Sequence, residues 1–230
     1  YAEAAKFIAA GLPDCTDSIW AAYAPSSAVI RHVQQLAAPR QETCEACAAW
    51  VRLKTIDLLA NGERRVRDRQ FEDAYLRAYR VLELLGQVRL FAHGLDSGQL
   101  PKDHPAVDKL RRKLEKNRES MFGVDRKTGN FTAPRELAAR LLKSMGDPMG
   151  ERLLLVGAGG LARARNKSLL IHGFEATRLS ADKPLSAIYA DLEGLLLEES
   201  SEAASALAVA RCADLRNRQD LGAGLGAGSI

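Results

Sequence analysis

Apolar residues between positions 63 and 93 recur at steps of three and four: Phe71, Ala74, Tyr75, Ala78, Tyr79, Leu82, Leu85 and Val88. That period puts them on one stripe and predicts a helix over 63–93, stopped by Gly94 and the turn-forming residues of 96–105. A second helix is expected over 106–118. After a loop at 123–134, Thr132 is placed to cap a helix that begins near Ala133. That helix carries Leu137, Leu141 and Leu142 and ends at Gly146-Asp147-Pro148. Residues 151–173 read as helical, and Ser180 as the cap of a helix containing Leu185, Ile188, Leu192 and Leu195. The Ala-rich first 60 residues read as helices broken by Pro13, Pro25 and Pro39. β-Branched residues are few and no sustained period-two run occurs, so the fold class expected is all-α.

Composition sharpens the picture. The chain has 230 residues, 47% hydrophobic and 27% charged, with 33 Lys+Arg against 29 Asp+Glu and a net charge of +4. This is the balance of a globular protein able to bury a core, and it excludes disordered and fibrous classes. No apolar run approaches the ~18–20 residues of a membrane span. A cytoplasmic protein without a membrane partner is expected. Residues 61–120 hold 24 charged side chains, 14 of them basic. With the turn-forming dipeptide Asn61-Gly62, this shift suggests a boundary. Residues 1–60 are then an N-terminal helical connector or extension, 61–200 a helical bundle, and 201–230 a C-terminal helix with a Gly/Ala-rich tail. A chain starting at Tyr1 reads as a processed or internal fragment.

Four cysteines are too few for a disulfide scaffold. Cys44 and Cys47 form a C-x-x-C without the βαβ context of a redox motif or the second ligand pair of a zinc site, and are expected as thiols packed on helices. No metal or cofactor is expected. Residues 153–162, with Gly157, Gly159 and Gly160, look like a strand entering a dinucleotide-binding turn. That fingerprint needs partner strands, which are absent, and the competing reading is a helix whose small residues allow close packing.

Arg165 and His172 lie seven residues apart, two helical turns and about 10 Å along one face, with Asn166 beside the arginine. A guanidinium can neutralise charge building on a phosphate, and an imidazole can move protons at neutral pH. Together they suit phosphodiester cleavage without a metal. Spacing alone leaves open a surface arginine and a histidine at a helix end.

Arg165-Asn166-x5-His172-Gly173-Phe174 resembles the signature of HEPN ribonuclease domains, in the form found in the CARF–HEPN accessory effectors of type III CRISPR systems. The helix with Tyr79-Arg80, Glu83 and Gln87, and Gly146-Asp147-Pro148 upstream, agree with it. The resemblance covers roughly residues 61–176. It implies a HEPN-type helical bundle that forms a homodimer and joins two Arg–His pairs in one cleft. Single-stranded RNA would be cut there by its own 2′-OH, leaving a 2′,3′-cyclic phosphate. Arg165 and His172 would be catalytic and Asn166 would position the substrate. Nothing before Asn61 reads as a CARF sensor, so cyclic oligoadenylate is a partner only if the full-length protein carries that domain. The alternative is a non-catalytic HEPN-like helical module that binds RNA or a protein.

Other polar features are more ambiguous. Arg80, Glu83 and Gln87 form a row that either supports the site, with Glu83 holding Arg165, or is a solvated flank. Lys109, Arg111, Arg112, Lys113, Lys116 and Arg118 form a basic run that either attracts an RNA backbone or is a solvated face. His32, His93 and His104 receive no chemistry.

Overall fold

The computed structural model describes residues 34–36, 43–117, 119, 121–158, 161 and 184–211. Within them the chain folds as α1 (Cys44–Arg67), α2 (Phe71–Ala92), α3 (Pro105–Asn117), β1 (Gly123–Val124), β2 (Phe131–Thr132), α4 (Arg135–Ser144), α5 (Pro148–Ala158) and α6 (Leu185–Glu199), with a further helical run over 203–211. The fold is an all-α bundle carrying one small antiparallel hairpin.

The apolar stripe explains why α2 is the central helix. Ala74, Ala78, Val81, Leu82, Leu85 and Val88 are fully buried, and α1, α4, α5 and α6 all pack against it. Burying a leucine completely contributes roughly 2 kcal/mol, so Leu82 and Leu85 alone are a sizeable part of what holds α2 in place. On its other side, Val88 and Leu84 meet Cys47, Ala48, Val51 and Phe91 in a second apolar cluster between α1 and α2. Cys44 and Cys47 both stand on α1 and form no disulfide, Cys47 buried, in line with the expected helix-packed thiols.

The first helix differs from expectation. Its start is capped by Thr43, whose Oγ1 accepts the Ala46 N–H at 3.2 Å, with Glu45 in the first turn and Arg64, Arg65 and Arg67 in the last to suit the helix dipole. It then runs through Asn61-Gly62 without a turn. Gly62 is buried there because the Tyr189 ring of α6 lies against its backbone, and a β-carbon would overlap the Tyr189 hydroxyl. That hydroxyl donates to the Ala74 carbonyl of α2 at 2.7 Å, tying three helices at one point. This packing outweighs the roughly 1 kcal/mol that glycine costs inside a helix. The break falls instead at 68–70, where Arg69 adopts φ 60°. The single expected helix over 63–93 is thus the end of α1 followed by α2.

Two local expectations are also corrected. Thr132 pairs with Gly123 in the hairpin, and α4 begins at Arg135 after Pro134, with no side-chain cap. The loop at 123–134 contains this hairpin because Phe131 stacks on buried Phe122, ring centroids 5.7 Å apart, and exchanges backbone hydrogen bonds with Leu100. Residues 148–158 are helical, so the strand-and-turn reading of Leu153–Gly157 gives way to the helical one. The helix expected over 106–118 is α3, and Leu185, Ile188, Leu192 and Leu195 are all buried on α6.

Candidate functional site

Arg165, Asn166 and His172 lie outside the described residues, as does Ser180. The structure describes what brackets them. Upstream, α5 is anchored by Leu153 and the chain by Leu161, each about 1% exposed; downstream, Leu185 is 2% exposed where α6 begins. In the sequence the signature thus falls between two points fixed in the core, and α5 and α6 pack against each other.

The direction in which α5 leaves the bundle is set by residues 145–149. Gly146 takes φ +82°, a left-handed conformation that ends α4: its N–H bonds to the Lys143 carbonyl at 3.1 Å and the Asp147 N–H to the Leu142 carbonyl at 3.0 Å. Pro148 then opens α5 with its φ already restricted. Asp147 Oδ1 accepts the Met149 N–H at 2.9 Å and so caps the new helix. A further glycine fixes the corner, because a β-carbon at Gly150 would collide with the Lys143 backbone nitrogen and the Ala139 carbonyl.

The other carboxylate oxygen of Asp147 reaches α2. Oδ2 accepts Arg89 Nη2 at 2.7 Å, Arg89 Nε at 3.1 Å and hydrogen-bonds His93 Nε2 at 2.8 Å. Arg89 and His93 are four residues apart and so share one face where α2 ends, Arg89 in its last turn and His93 as the capping residue just past it. The Asp147 side chain is 1% exposed, whereas Arg89 and His93 are 29% and 36% exposed. Burial would raise the Asp147 pKa, but the hydrogen bonds from His93, Arg89 and the Met149 N–H together bring it below the ordinary carboxylate value. The result is a carboxylate ionised at neutral pH and shielded from water, with a cation and an imidazole held at the surface.

His93 received no role from the sequence. The signal was an Arg-x3-His pair at the end of one helix and an Asp-Pro helix start more than 50 residues away, which become one cluster only after folding. Arg80 is held by Glu83 at 2.8 Å, and Arg80 and Gln87 line a cavity of about 580 Å³ between α1 and α2, together with Trp50, Lys54 and Phe91. Any contact from Glu83 to Arg165 lies outside the described residues. Among those residues no group of three or more His, Cys, Asp or Glu side chains could hold a metal ion, and no helix is long and apolar enough to cross a membrane.

The family of the Csm6 HEPN domain matches residues 47–194, a span that contains α1 from Cys47, all of α2–α5, the Arg165–His172 signature and most of α6. The chain belongs to the Csm6 HEPN family. No curated protein matches it. Membership places the chain among CRISPR-associated HEPN domains of the ribonuclease type, and the all-α bundle is the fold that membership calls for. In this HEPN domain the match begins three residues inside α1, so Ile56, Leu59 and Ala60, which face the core from that helix, belong to the matched span.

Proposed function

We propose that this HEPN domain is a metal-independent endoribonuclease that cuts single-stranded RNA in CRISPR-associated antiviral defence. The observation that carries the reading is the family match across 47–194, inside which Arg165, Asn166 and His172 stand in the order and spacing of the HEPN signature. In the proposed reaction the ribose 2′-OH attacks the adjacent phosphorus and the bond from phosphorus to the 5′ oxygen breaks. The proton leaves the 2′-OH and another is supplied to the departing oxygen, giving a 2′,3′-cyclic phosphate and a 5′-hydroxyl. Arg165 neutralises charge on the phosphoryl oxygens, His172 transfers or orients the proton, and Asn166 positions the linkage. Two copies supply one such set each to a composite cleft. Cyclic oligoadenylate enters only as the activator of a CARF domain in a longer protein.

The test uses end-labelled single-stranded RNA. The purified chain is expected to release fragments ending in cyclic phosphate, equally well with EDTA present. Arg165→Ala and His172→Ala are expected to lose cleavage while keeping the helical signal and the dimer on gel filtration. Full cleavage by both variants would remove the mechanism, and RNA retention without cutting by the unaltered chain would favour a binding module.

A further inference from the structure

The basic run on α3 resolves into two sets once its partners are known. Arg111 is held by Asp108 at 2.9 Å and Glu115 at 2.5 Å, and Arg112 reaches Asp108 at 2.8 Å. Glu119, whose charge also reaches Lys113, is taken up by Arg140 and Asn117. The three acids near the run are thus committed. Lys109, Lys113 and Lys116 are exposed and make no ion pair among the described residues.

Their placement on the helix is equally ordered. At 100° per residue, positions 109, 113 and 116 fall within about 60° of arc, with Arg112 at its edge, and span about 10 Å along the axis. The buried stripe of the same helix, Val107, Leu110 and Leu114, lies on the far side, where α3 packs against α4. The amphipathic helix therefore presents a ridge of exposed lysines that no described residue covers or ion-pairs. No aromatic side chain belongs to it, so it can read charge but not bases.

We infer that the α3 face of Lys109, Lys113 and Lys116 is a docking surface for the sugar–phosphate backbone of single-stranded RNA. The inference rests on the ribonuclease reading for its choice of ligand and on charge complementarity for its location. Each lysine that replaces a condensed counterion adds to the salt dependence of binding without adding sequence preference.

The experiment measures the affinity of a fluorescent single-stranded RNA for the full chain carrying His172→Ala, as a function of salt. Lys109→Gln/Lys113→Gln/Lys116→Gln is compared with Arg67→Gln/Arg69→Gln/Lys143→Gln, which removes the same charge from exposed positions elsewhere. At ~0.7 per phosphate contact, the α3 variant is expected to lose about 2 from the slope of log affinity against log salt, so a fourfold rise in salt costs the unaltered surface roughly twentyfold more. The control variant is expected to keep most of the slope. Equal slopes in the two variants, or binding to phosphatidylserine vesicles with no retention of RNA, would overturn the inference. Failure of the ribonuclease reading shows separately, as intact RNA with the unaltered chain.

Discussion

Asp147 is the residue whose loss is most informative, because each oxygen does a different job. Replacing it by alanine removes the cap on the Met149 N–H, about 1 kcal/mol. It also strips Arg89 and His93 of their shared acceptor. Breaking a buried pair costs 3–5 kcal/mol when the survivor stays buried. Here Arg89 and His93 keep 29% and 36% exposure and can turn to water, so about 2 kcal/mol is the better figure. Asp147→Ala is therefore expected to destabilise by about 3 kcal/mol. Asp147→Asn, which retains an oxygen for the cap, should cost about 1 kcal/mol less. Urea unfolding followed by helical circular dichroism measures both; with a slope near 2 kcal/mol per molar, the alanine midpoint should fall by about 1.5 M. The carboxylate loses its proton at lower pH in the folded chain than in the unfolded one, so its contribution is complete above the ordinary value of 3.8 and disappears as pH falls through the folded value. The gap between the unaltered chain and Asp147→Asn should hold from neutrality down to about that pH and close below it. Variants within about 0.5 kcal/mol of the unaltered chain at neutral pH would refute the reasoning.

Three other substitutions separate space from backbone conformation. Gly62→Ala improves helix propensity yet drives a methyl group into Tyr189, and should lower stability by about 2 kcal/mol through overpacking and the strained Tyr189–Ala74 hydrogen bond, read as a fall in melting temperature. Gly86→Ala, equally buried in a helix, meets only Ala138 and Leu153 at 3.8 Å, and should raise stability by up to about 1 kcal/mol in the same assay. Arg69→Gly should stabilise by about 1 kcal/mol, since the residue holds φ 60° at the end of α1; an unchanged urea midpoint would show that the conformation is not strained.

The central helix was legible because its information is local. The three-and-four spacing from Ala74 to Val88 needs no knowledge of partners, and those positions are buried, Tyr79 partly. The end of α1 was not, because Gly62 reads as a turn until Tyr189, well over 100 residues later, is known to cover it. The same holds for His93, which acquires a partner only when α5 docks beside α2. Of the candidate site, Arg165, Asn166 and His172 were singled out by a motif, which is chemistry at fixed spacing. The Arg89–His93–Asp147 cluster has no such spacing along the chain. The basic run lay between these cases: its sequence showed the charge, and only the ion pairs of Arg111 and Arg112 showed which cations remain uncommitted.

The meeting of α4 and α5 at Gly150 has a mechanical consequence. Main chain rests on main chain there, so no rotamer can yield and the two helices share a joint of fixed angle. Exposed positions such as Leu155 can be repainted freely. A side chain at 150 would pry the joint open and tilt α5, displacing Leu153 and the residues after it on that helix by an amount that grows with distance from the pivot.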